Sequence, residues 1–172
     1  MVSDKIKQIM KMKKVCVLLA DGFEEIEALA PVDILRRAEL EVKIVGVGGK
    51  TITGSHGITV TADIEEKDVT TDDMELMILP GGMPGTLGLK ATPAIQAEAL
   101  RRSDASQPIA AICAAPSILS ELGILDGRHA TANPAFVKAI AEGGAIVHEN
   151  PVVADEFIIT SRGAGTALEL GL

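Results

Sequence analysis

The run Pro108-Ile-Ala-Ala-Ile-Cys113-Ala-Ala-Pro116 leaves the backbone few choices. It reads as a short buried strand that stops on Cys113 and turns at once toward a helix. Ala111 and Ala115, two residues to either side of the cysteine, are small, and a turn this tight has no room for larger side chains there. The residue at its apex is lifted above the sheet, its side chain exposed and its backbone strained. A thiol held there faces the N-terminal end of the next helix, where the dipole and free N–H groups favour thiolate. Cys113 is therefore a candidate nucleophile. The same run is equally compatible with Cys113 as a core residue, because unpaired cysteines often fill apolar space.

The rest of the chain repeats the strand-to-helix pattern. Strand patterns cover Lys14–Ala20, Val42–Val47, Glu75–Leu79, Ile109–Cys113 and Val152–Thr160. Helical patterns cover Glu24–Ala38, Pro93–Arg102, Ser117–Leu122 and Pro134–Glu142. Gly49 and Gly54 mark a hairpin-like stretch, His129–Ala132 looks extended, and Gly163–Leu172 opens a helix. Alternation with nearly continuous apolar strands predicts an α/β fold whose mostly parallel sheet is covered on both faces. The 172 residues fit one domain. Residues 1–12 form a polar N-terminal tail, and 13–172 make up the domain. The closing segment Ala167–Leu172 amounts to at most about two helical turns. The domain is thus expected to lack its C-terminal helix.

Composition narrows the partners. Hydrophobic content is 47% with only three aromatics, Phe23, Phe136 and Phe157, so the core is expected to be aliphatic. A net charge of −8 argues against a nucleic-acid partner, because phosphate binding needs clustered Lys and Arg. Without Trp or Tyr, the platforms that stack on bases or flavin rings are mostly missing. Cys16 and Cys113 are too few for a disulfide framework and lack metal-ligand spacing, which fits a reducing cytoplasm. Cys16, inside a strand pattern, reads as packing. The apolar run after Lys14 is shorter than a signal-peptide core, and no stretch has the length of a membrane span.

Ligands of parallel sheets bind beyond the carboxyl ends of the strands. Three segments place unusual residues there: Asp21-Gly-Phe-Glu-Glu-Ile-Glu27, Pro80-Gly-Gly-Met-Pro84 and Cys113. Glu27 is the second candidate. Pro31 has no N–H for the carbonyl of Glu27, so a break or kink is expected close to the sheet edge. A carboxyl beside a thiolate in a partly buried site would have a raised pKa, hold its proton and donate a hydrogen bond to sulfur. Glu24 and Glu25, by contrast, are explained as acidic residues at a helix N-terminus. Gly81-Gly82 predicts a turn with positive φ, and the N–H groups of Gly82 and Ala114 together form a candidate oxyanion hole. Gly163 and Gly165 lack the Lys-Ser/Thr of a phosphate loop. His56, His129 and His148 are not adjacent to Cys113 and read as ordinary surface or strand residues. His148-Glu149 lacks the His-x-Glu spacing of cysteine glutaminases.

The motifs Asp21–Glu27, Pro31-Val-Asp33, Arg36-Arg-Ala38, Leu79-Pro-Gly-Gly82, Ala110-Ala-Ile-Cys-Ala114 and Thr160-Ser-Arg-Gly163 occur in one order. In combination they resemble the ThiJ/PfpI family, specifically the branch around the parkinsonism-associated deglycase and its bacterial relatives. The resemblance runs from about Met12 to the end. It implies a flavodoxin-like three-layer sandwich, usually a homodimer, with the reactive cysteine at Cys113 and the protonated glutamate at Glu27. It also implies oxyanion donors at Gly82 and Ala114, and places Arg36-Arg37 and His56 at the dimer interface near the site. Two departures stand out. Asn133-Pro134 occupies the place of a histidine-proline pair in some members, and Ala114 that of the histidine directly after cysteine in the protease-like branch.

The resemblance implies glyoxalase III or protein deglycase chemistry on glyoxal, methylglyoxal or early glycation adducts, with no cofactor and no metal. Peptidase activity is not expected without either imidazole. The alternative is a non-enzymatic oxidative-stress sensor or redox-regulated chaperone, built on an oxidisable thiol whose sulfinate Glu27 would stabilise.

Overall fold

The computed structural model describes residues 14–70 and 74–172, so the expected tail at 1–12 lies outside the described residues. The first half runs β1 (Lys14–Leu19), α1 (Glu25–Arg37), β2 (Glu41–Gly46), the hairpin β3 (Thr51–Thr53) and β4 (Thr59–Thr61), then β5 (Ile64–Glu65). The middle is β6 (Leu76–Leu79), α2 (Gly85–Ala91), α3 (Pro93–Asp104), β7 (Ile109–Ile112) and α4 (Pro116–Glu121). The chain then continues through β8 (His129–Ala130), α5 (Val137–Glu142), β9 (Ile146–Val147), β10 (Val152–Asp155), β11 (Ile158–Ser161) and α6 (Ala167–Gly171).

Seven strands form one sheet in the order β10-β11-β7-β6-β1-β2-β5. Every neighbouring pair is parallel except β10 and β11. Side chains alternate across a strand, so β1 feeds two cores. Cys16 and Leu18 join Ile95, Ala99, Ile118 and Leu119 on one face. Val15, Val17 and Leu19 join Ala28 and Val32 of α1 on the other. The result is the expected three-layer flavodoxin-like sandwich with an aliphatic core. On the α1 side, Gly171 of α6 comes up against Pro31 and Ile34. Among the described residues, no helix is long and apolar enough to cross a membrane.

Several local expectations are corrected. The stretch Val152–Thr160 is not one strand but the hairpin β10–β11, folded back at Glu156 with φ 56°. The β-branched runs at either end concealed the turn, since Glu156 is not a common left-handed residue. Helix α2 was not anticipated because Gly85 and Gly88 within it depress helix propensity. Helix α1 runs on through Pro31 without interruption, so the expected break is absent. The missing N–H removes one bond, but Ala28, Pro31 and Val32 are buried and packing holds the helix on the sheet.

A buried cation fixes the opposite edge of the sheet. Arg102 is fully buried, with Nε 2.9 Å from Glu98 Oε1. Its NH1 donates to the carbonyls of Glu75 at 3.1 Å and Pro108 at 3.0 Å, and its NH2 donates to Met74. Those carbonyls precede β6 and β7, so one guanidinium ties α3 to the start of both central strands. Arg102→Met keeps the apolar stem but removes the guanidinium bonds to three carbonyls, of which Pro108 O keeps the Met77 N–H at 3.3 Å. It is expected to lower unfolding free energy by about 3 kcal/mol, read from urea denaturation.

Candidate active site

The carboxyl ends of β1, β6 and β7 are neighbours in the sheet, which brings their following loops together. Strand β7 ends at Ile112, and Cys113 stands just outside it in the left-handed region, φ 64°. That is the strained apex expected of a tight strand-to-helix turn, and two hydrogen bonds hold it there. The Cys113 N–H donates to Ser161 O at 2.9 Å, and its carbonyl accepts from Asn133 N at 3.0 Å. Cys113 is half-buried, whereas Cys16 is fully enclosed in the core.

Glu27 sits in the first turn of α1 and is only 2% exposed. Glu24 caps that turn by accepting from Glu27 N at 2.9 Å, and its own N–H donates to Gly81 O at 3.0 Å. The Gly81 N–H in turn donates to Glu27 Oε2 at 3.0 Å. A methyl group at Gly81 would lie 2.5 Å from that oxygen and 2.7 Å from Cys113 Cβ, so only glycine fits between the two groups. Gly82 has the positive φ expected, 93°. The backbone N–H groups of Gly82 and Ala114 are both directed at the Cys113 sulfur.

The electrostatics couple the two side chains. Burial pushes the Glu27 carboxyl up to about 7; the Cys113 thiol and the Gly81 and Ala164 N–H groups oppose this, and the Glu24 charge adds to it. Burial and then the Glu27 charge push the Cys113 thiol up to about 12, against the Ala114 and Gly82 N–H groups. The expectation of a thiolate favoured by the helix N-terminus is therefore corrected: burial and the adjacent carboxylate outweigh the N–H groups. Taken as a coupled pair, both groups are pushed toward their protonated forms by burial, and the charge of one raises the cost of ionising the other.

The other expected residues divide. A methyl at Gly163 would lie 3.6 Å from both Asn133 Nδ2 and Glu27 Oε1, and 4.0 Å from Cys113 Sγ. Asn133 thus faces the same space as the reactive pair. His56 stands over the 54–58 turn, its Nδ1 3.0 Å from Glu25 Oε2. Arg37 is not brought to the sulfur within this chain. It pairs with Asp33 at 2.9 Å and lies ten residues beyond Glu27, about 15 Å along the helix.

Glu25 was read as a surface helix-start acid and proves to be buried. It accepts from His56 N at 2.8 Å and Ile58 N at 3.4 Å besides the His56 ring. Burial alone would raise its pKa, but these bonds, led by the His56 ring, hold it at about 2. The same contact raises the pKa of His56. No local signal marks Glu25, because its partners come from a turn about thirty residues away. Glu24, Glu25 and His56 bring three metal-competent atoms within 4.8 Å, but both Glu25 oxygens are already engaged.

Comparison with known proteins places this geometry. The model of the DJ-1/PfpI family matches residues 13–172. Protein dj-1beta of Drosophila melanogaster is 33% identical over 161 residues, covering 93% of this chain and 86% of that protein. A deglycase of Thermococcus kodakarensis is 31% identical over 152 residues, covering 88% of this chain and 91% of that one. The crystal structure of Drosophila melanogaster DJ-1beta aligns with a TM-score of 0.88 at 31% identity, covering 93% of this chain and 87% of that chain.

Brief iodoacetamide treatment near neutral pH is expected to modify Cys113 before Cys16, read by peptide mass mapping. A second expectation follows from Glu27. Its folded pKa of about 7 exceeds the reference 4.5, so its stabilising contribution is complete below 4.5 and is lost as pH rises through 7. Glu27→Gln is expected to abolish that decline, about 3 kcal/mol, in unfolding curves taken across the same interval.

Proposed function

Since the chain belongs to the DJ-1/PfpI family, we propose that it is a cofactor-independent, cysteine-dependent enzyme of the glyoxalase III or deglycase type. Its substrates in this reading are glyoxal, methylglyoxal or early glycation adducts. The observation that carries the proposal is a buried carboxyl set beside a half-buried thiol, with the Gly82 and Ala114 N–H groups acting on the sulfur.

The chemistry follows from those groups. Cys113 sulfur adds to the aldehyde carbon, and the carbonyl π pair moves to oxygen as an alkoxide. The N–H groups of Gly82 and Ala114 hold that charge, and the Glu27 proton then neutralises it to a hemithioacetal. Glu27, now a carboxylate, moves the proton from the former aldehyde carbon to the adjacent carbon, while the hydroxyl proton of the first carbon passes to the adjacent carbonyl oxygen. The first carbon is oxidised to a thioester while its neighbour is reduced to an alcohol, so no external redox partner is needed. Water hydrolyses the thioester, releasing a 2-hydroxy acid and the thiol. Asn133, whose amide faces the same space, is positioned to bind substrate oxygen.

The reading includes a homodimer, reactive aldehydes as the partners, and a cytoplasmic setting. Helix α1 exposes Ile26, and the turn over Glu25 exposes Ile58, an apolar face for a second copy in which His56 and Arg37 take part. One observation favours a second reading, a redox sensor. The half-buried sulfur faces the Glu27 proton and two N–H groups, which would hold sulfinate oxygens.

Methylglyoxal consumption separates the two. Cys113→Ser and Glu27→Gln are each expected to lower turnover by about 100-fold or more. Glu27→Gln retains a donor to sulfur and is expected to keep peroxide-driven sulfinate formation, read by intact mass. No turnover by the unaltered protein, with sulfinate still forming, would support the sensor instead.

A further inference from the structure

Two histidines that the site does not use meet on a separate edge of the molecule. Strands β8 and β9 pair in parallel, with His129 opposite Ile146 and Ala130 opposite Val147. His148 directly follows β9, and its N–H donates to Ala130 O at 2.9 Å. The rings lie with centroids 4.8 Å apart and planes tilted by 37°. Nδ1 of His129 points at Nε2 of His148 across 2.5 Å. Both backbones are anchored, since the His129 N–H also donates to Asp155 Oδ2 on β10 at 2.7 Å. The neighbouring cation is committed elsewhere: Arg128 pairs with Glu156 at 3.1 Å and lies over the Phe157 ring at 4.5 Å.

We propose that His129 and His148 form a two-imidazole site for a divalent transition ion of the copper, nickel or zinc class. Two nitrogens aimed at one point on a solvent-facing edge need a proton or a cation between them. In the neutral pair one imidazole donates its N–H to the lone pair of the other. A metal ion takes the place of that proton, which shifts to the other nitrogen of the same ring, so two neutral imidazoles each offer the ion a lone pair. Imidazole donors select this class over magnesium and calcium, which take oxygen ligands. An ion about 2.0–2.1 Å from each nitrogen holds the two about 3.3 Å apart in tetrahedral geometry. Rotation of the two rings supplies the opening of less than about 1 Å from the observed contact. Water completes the coordination on the open side.

The two strands fix the spacing of the ligands, and the Asp155 contact fixes the His129 backbone, so the pair is organised before any ion arrives. The site stands apart from the reactive cysteine: His129 is four residues upstream of Asn133 on an extended segment, about 13 Å away.

The test uses the full chain, purified free of metal and titrated near neutral pH with cupric or zinc ion alone. Calorimetry is expected to show binding that His129→Ala and His148→Ala each weaken by at least about 10-fold, the smallest loss usual for even an outer-shell partner. Cys113→Ser and His56→Gln are expected to retain that binding, because their side chains belong to other clusters. Electron paramagnetic resonance of the cupric form is expected to show nitrogen hyperfine structure from two imidazoles, and it reads the ligands without any substitution. Binding unchanged in both His129→Ala and His148→Ala would overturn the proposal. So would binding lost only with Cys113 or His56, or a cupric spectrum without coupled imidazole nitrogen.

Discussion

The hydrogen bond from the Gly81 N–H to the Glu27 carboxyl is the contact on which the sheet edge depends. It joins the loop after β6 to the first turn of α1, and the return bond from Glu24 N to Gly81 O closes the link. With α1 held there, the carboxyl is buried beside the Cys113 sulfur, and burial is the leading cause of both raised pKa values. The glycine serves as donor and spacer together, since any β-carbon at position 81 would displace either the carboxyl or the cysteine.

The pairing is compatible with both proposed kinds of chemistry at one thiol. Burial raises both groups toward their neutral forms, which limits how much charge the site must bury. In the proposed reaction the sulfur is the nucleophile and the carboxyl is the acid that gives a proton back. Two backbone donors supply the remaining stabilisation without adding a further titrating group.

Much of this was legible in the residues, and the reasons for the rest are physical. Period-two and continuous apolar runs report burial directly, so β1, β6 and β7 were readable, as was the small-residue frame around Cys113. The positive φ of Gly82 followed from its place after a strand. Contacts formed between distant segments left no local trace. Glu25 looked like a surface acid because the groups that bury it lie on the 54–58 turn. The direction of the thiol's shift was misjudged because the helix N-terminus can be read from sequence, but the depth of burial and the carboxylate beside the sulfur cannot. Likewise Glu156, a residue without turn preference, ends a strand that its neighbours would have continued.

The elbow cysteine is clamped by Ser161 of the last strand, and β11 lies between β7 and the edge strand β10. This has a consequence during synthesis. A ribosome releases β1, β6 and β7 first, together with both members of the reactive pair, but not the strand that pins the apex. Until β10 and β11 emerge and add to the sheet, the left-handed turn at Cys113 lacks its restraint. The thiol therefore gains this clamp only after β11 has emerged and paired with β7, well after the elbow itself has left the ribosome.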